Sequence, residues 1–157
     1  MPTLGGLAAV SMLAGAIVGA NTQSPGERAA RDFTAAWERG DVRSMYRLVT
    51  PSARQRFPLD RFRRAYRRAA NTATLRAIDV EEVEDAGGGT VTVPVVLDTR
   101  IFGSLRGELS VPVSGDRVDW EPRLVFPELR AGERLTRTSV PPVRATLRSR
   151  AAGDGSR

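Results

Sequence analysis

The stretch TVTVPVVLDTRIFGSLRGELSVPVSGDRVDW, Thr90 to Trp120, decides the fold. Val91, Val93, Val95 and Leu97 alternate with Thr90, Thr92, Pro94 and Asp98, the two-residue period of a half-buried strand. Pro94 has no N–H for a ladder, which predicts a sheet edge or a bulge at that point. Gly103 breaks the run, and Leu105, Gly107, Leu109, Val111 and Val113 alternate again. Ser114-Gly115-Asp116 then turns the chain into a short strand from Arg117 to Trp120. Upstream, Leu75 to Val83 reads as a further strand, joined to the first by the hairpin loop Asp85-Ala86-Gly87-Gly88-Gly89. The whole is an antiparallel meander.

Toward the N-terminus the period changes to that of a helix. Ser24 and Glu27 form a capping box around Pro25 at the first helical position, and Ala30, Phe33, Ala36 and Trp37 give one apolar face. Gly40 ends that helix and Asp41 caps a second, whose face is Val42, Met45, Leu48 and Val49. Thr50-Pro51 starts a short turn, Pro58 breaks the chain, and Leu59, Phe62, Tyr66 and Ala69 mark a third helix. Helices followed by strands predict an α+β domain, with three helices on the concave side of a curved antiparallel sheet.

Composition excludes several chemistries. The 157 residues contain no cysteine and no histidine, which removes thiolate ligands and the commonest general base. All 24 basic residues are arginine. Without lysine these residues form no Schiff base, no Walker A loop and no Ser-x-x-Lys pair. The net charge of +6 favours anionic partners. Leu4 to Ala20 is uncharged and apolar, about 26 Å as a helix at roughly 1.5 Å per residue. It reads as a signal anchor, as a signal peptide cleaved near Val18-Gly19-Ala20, or as an ordinary buried helix. No basic residue precedes it, which a start codon assigned too late would explain.

Downstream of the meander, Trp120 is followed by the apolar run Leu124-Val125-Phe126, closed by Pro127, then a charged loop with Gly132 and the step Pro141-Pro142. Trp120, Phe126 and Pro127 are expected to fasten this exit segment onto the sheet. Arg54, Arg56, Arg61, Arg63, Arg64, Arg67 and Arg68 form a basic run broken only by Asp60 among charged residues of opposite sign. It is read either as a solvated helix face or as a contact with anionic lipid or cell-wall polymer, each arginine contributing on the order of 1 kcal/mol near an anionic surface. Glu81, Glu82, Glu84 and Asp85 cluster at a hairpin and are expected to be solvated rather than to bind metal. Gly87-Gly88-Gly89 does not lead from a strand into a helix and is not a phosphate loop.

This order of elements resembles the MecA-type, nuclear-transport-factor-2-like N-terminal transpeptidase domain of class B penicillin-binding proteins. The likeness runs from about Glu27 to Thr146. It is carried by ARDFTAAWERGDVRSMYRLV (Ala30 to Val49), by Phe62 and Tyr66, by DTRIFGSLRG (Asp98 to Gly107), and by the segment from Val118 to Leu129. The chain departs from the family pattern at Glu128, where the family usually has glycine, and over Val143 to Arg150. The resemblance implies a cone-shaped domain over residues 23–122, an anchor or signal over 1–22, an exit linker over 123–146 toward an absent transpeptidase domain, and a disordered tail over 147–157. It implies a non-catalytic stalk in peptidoglycan synthesis, on the extracytoplasmic side of a bacterial cell membrane and held there by a single-pass N-terminal helix. It implies no cofactor, no metal and no nucleic-acid partner, with the transpeptidase domain normally in cis. The same cone shape also hosts ketosteroid-isomerase-like enzymes. On that alternative, a secreted small-ligand-binding protein or isomerase, Phe33, Trp37, Tyr46, Phe62 and Tyr66 line a cavity, and Asp98, Asp119, Tyr46 and Tyr66 are the candidate polar groups.

Overall fold

A computed structural model describes residues 23–85 and 87–138 of the chain. The apolar stretch 4–20, the Pro141-Pro142 step and the tail lie outside the described residues. Among the described residues no helix is long and apolar enough to cross a membrane.

Four helices precede the sheet, one more than the sequence reading. They are α1 (Pro25–Glu38), α2 (Val42–Arg47), α3 (Pro51–Arg56) and α4 (Leu59–Ala73). The capping box of α1 is present in full: Ser24 N–H donates to Glu27 Oε2 at 2.7 Å, and Glu27 N–H donates to Ser24 Oγ at 3.1 Å. Gly40 takes φ +68 and reverses the chain into α2. There Asp41 accepts from the Ser44 N–H at 3.0 Å and from the Ser44 hydroxyl. Those hydrogen bonds hold the Asp41 carboxyl below its ordinary pKa, the hydroxyl bond contributing most. The extra helix, α3, is the segment read as a turn. Thr50 Oγ1 caps it by accepting from Ala53 N–H at 3.2 Å. It buries only Ala53, so it carries no apolar period to be read.

The sheet comprises β1 (Leu75–Val80), β2 (Glu84–Asp85), β3 (Thr90–Thr99), β4 (Gly103–Ser114) and β5 (Arg117–Val118). All neighbours are antiparallel, in the order β1-β3-β4-β5, with β2 beside β3 beyond the end of β1. The first strand therefore stops at Val80 rather than Val83. That break also revises the reading of Pro94. It lies inside the sheet, on β3 opposite Glu108 of β4. Its carbonyl accepts from Glu81 N–H at 3.0 Å, one residue past the end of β1. The missing N–H faces Glu81 from the same side, and the ladder between β1 and β3 stops there.

On β3 the residues Val91, Val93, Val95, Leu97 and Thr99 are buried and the intervening ones are half-buried, as the alternation predicted. Their core face meets α1, which touches β1, β3, β4 and β5. Gly26 permits this approach: a Cβ there would lie 2.7 Å from Val113 Cγ2. The core joins Phe33, Met45, Phe62, Val93, Leu109 and Trp120, among others. The β5 side of the sheet is closed by the chain between α2 and α3. Val118 N–H donates to Leu48 O and Thr50 N–H donates to Val118 O, both at 2.9 Å, making a parallel bridge at Val49. This bridge carries the chain toward Trp120.

Candidate functional site

Two features stand beside each other where α4 meets the segment leaving the sheet. The first is a buried clasp. Trp120 is 1% exposed. Its indole Nε1–H donates to Tyr66 Oη at 3.1 Å, and Tyr66 Oη donates to the Leu124 carbonyl at 3.2 Å. Leu124 sits in a single 3₁₀ turn, Pro122–Val125, with its side chain in the core. Burial pushes the Tyr66 phenol above its ordinary pKa, while the Trp120 hydrogen bond acts in the opposite sense. The phenol is thus held protonated and can serve as donor to Leu124.

Aromatic rings surround the relay. Trp120 lies 4.7 Å from Phe62 and 5.1 Å from Phe57 between ring centroids, and Tyr66 lies 4.9 Å from Phe62. Beyond Leu124, Phe126 is half-buried against the core and Pro127 is buried. Pro127 rests on the bare backbone of Gly107, where a Cβ would be 3.0 Å from Pro127 Cβ. Glu128 then takes φ +61 and donates its N–H to Glu108 O at 3.2 Å. Pro127 is therefore seated on β4, and Trp120 on Tyr66 and Phe62 of α4. Tyr66 is the partner that the sequence reading did not assign to the exit segment, and Leu124, named there in the apolar run, is buried more deeply than Phe126.

The second feature is a cleft of about 570 Å³ between α4 and the exit segment. Arg61, Arg64 and Arg68 line one wall and Arg134 lines the other. The seven arginines of the basic run are consequently divided. Arg54 lies on α3 and is half-buried, and Arg56 pairs with Asp119 at 2.9 Å. Arg63 lies 3.8 Å from Asp60. Arg61 also sits over the Phe57 ring, 5.4 Å from its centroid. Arg134, sixty-odd positions downstream of the run in a charged loop, carries no local signal that links it to α4.

The residues proposed for an isomerase-like cavity are not brought together as one. Phe33 and Phe62 are fully buried, and Trp37 meets Tyr66 ring to ring at 5.9 Å, so these side chains form packed core. Tyr46 Oη donates to the Phe57 carbonyl at 3.1 Å. Asp119 accepts from Arg56 and from Thr50 Oγ1. Asp98 falls on the β3 face opposite the buried one. At the hairpin, Glu81 lies 3.6 Å from Arg106 and Glu82 is exposed. Among the described residues no three acidic groups gather as a metal site would require.

Residues 25–133 match the family model of the NTF2-like N-terminal transpeptidase domain. The match spans the clasp and the α4 wall of the cleft, and ends one residue before Arg134. No curated protein matches the chain.

Proposed function

Since the chain belongs to the family of NTF2-like N-terminal transpeptidase domains, we propose that it is a non-catalytic pedestal that sets the position and direction of a penicillin-binding transpeptidase domain in peptidoglycan synthesis. The observation that carries this reading is the clasp. A spacer must deliver its exit segment at a fixed angle, and the Trp120–Tyr66–Leu124 relay ties that segment to α4 by buried hydrogen bonds. Acylation by a penicillin needs lysine beside the nucleophilic serine, and these 157 residues contain none. The reaction therefore falls to a separate stretch of protein. On this reading the body is extracytoplasmic, and the apolar stretch 4–20 is its membrane anchor or its export signal.

The absence of cysteine makes the test direct. Arg28→Cys on α1 and Thr136→Cys on the exit segment, both exposed, accept a pair of spin labels. A narrow distance distribution is expected, broadened when Trp120→Ala is added. A broad distribution without that change would sink the pedestal reading. Covalent labelling of the chain by a fluorescent penicillin would overturn the assignment as non-catalytic.

A further inference from the structure

Arg61, Arg64 and Arg68 recur at i, i+3 and i+7 and so share one flank of α4, spanning two helical turns or about 10 Å. That flank faces the cleft, and Arg134 faces it from the exit segment. The walls are cationic, whereas Phe57, Ala65, Val125, Leu129 and Leu135 also line the cleft and make it apolar below. Among the described residues none of these four arginines has a carboxylate within ion-pair distance. The one acid on the cleft, Glu133, accepts from the Arg130 N–H at 2.9 Å.

We propose that this cleft binds an acidic amphipathic peptide segment of a partner protein, its carboxylates on the four arginines and its aliphatic side chains on the apolar lining. This is recognition by a helix or short strand laid in a groove, with charge fixing its register. Neither stretch flanking the described residues has that chemistry. Residues 1–22 carry no charged side chain, and residues 139–157 carry Arg144, Arg148, Arg150 and Arg157 against Asp154 alone. A flat lipid surface meets projecting side chains, and Arg67, exposed and not lining the cleft, would serve it better than walls of a concavity. A polyol-phosphate wall polymer brings the charge but no aliphatic side chains for the lining. The proposal does not depend on the pedestal reading.

A displayed random-peptide library panned on the full chain tests it, followed by fluorescence anisotropy with the selected peptides. Selection is expected to enrich sequences that combine Asp or Glu with Leu, Ile or Val. Arg64→Gln and Arg68→Gln should each weaken binding about two- to fivefold, the range for partly exposed ion pairs. Arg63→Gln and Arg67→Gln, away from the cleft, should leave it unchanged. Failure to enrich acidic–apolar peptides would overturn the proposal, as would equal losses from the two pairs of variants. So would binding of phosphatidylglycerol vesicles or of poly(glycerol phosphate) that depends on Arg64 and Arg68 and that no selected peptide displaces.

Discussion

At Glu128 the backbone lies at φ +61, a left-handed conformation in which a side chain costs roughly 1–2 kcal/mol. The strain is held by what flanks it: the Glu128 N–H bonded to Glu108 O, and Pro127 seated on Gly107. A glycine, which the resemblance implies at this position, would take the same conformation without that cost. Glu128→Gly should raise stability by about 0.5–1 kcal/mol, because relief of strain is partly offset by the entropy that glycine adds to the unfolded chain. Urea denaturation checks this; a loss of stability would mean that the Glu128 side chain contributes more than the turn costs.

Among the elements, those with a long period were legible and those without were not. The strands β3 and β4 and the helices α1 and α4 each repeat apolar residues over three or more turns or pleats. The α3 segment PSARQR has a single buried side chain, so only Thr50 and Pro51 hinted at it. The sequence marked Pro94 as awkward, yet could not say which neighbour would be interrupted, because strand pairing is a long-range choice. The division of the basic run was partly legible: Arg61, Arg64 and Arg68 have the spacing of one helix flank. Arg134 was not, since only the folding of the exit segment against α4 brings it there. That packing rests on Gly107, and Gly107→Ala should lift Pro127 away from β4. The expected result is a loss of about 1–3 kcal/mol and faster tryptic cleavage at Arg130 and Arg134. Unchanged cleavage would show that the exit segment is held by the clasp alone.

Over the whole molecule, the clasp makes stability depend on alkaline pH. The Tyr66 phenol is neutral in the fold and ionises more readily when the chain unfolds. A group whose folded pKa is raised gives stability that is complete below its unfolded pKa, roughly 10 for tyrosine, and that declines as pH rises beyond it. Tyr66→Phe removes this dependence. It also leaves Trp120 Nε1–H without its acceptor and Leu124 O without its donor, at a cost of about 1–3 kcal/mol at neutral pH. Thermal melts from pH 7 to 11 should therefore show a lower but flatter profile for the variant. Parallel profiles would mean that another group governs the alkaline limb.

The bridge between Val49 and Val118 has a further consequence, in the order in which the chain is made. All four helices are synthesised before any strand, and their buried faces rest on β-residues that come later. A nascent chain that has delivered only α1 to α4 holds Phe33, Phe62 and Tyr66 without the strand and exit-segment residues that complete their cover, and Leu48 and Thr50 with backbone groups awaiting Val118. Contacts of such sequence separation close late and expose apolar surface in the interval. The helical half keeps part of its apolar face uncovered until Trp120 and Leu124 emerge, and folding is completed by the same residues that set the direction of exit.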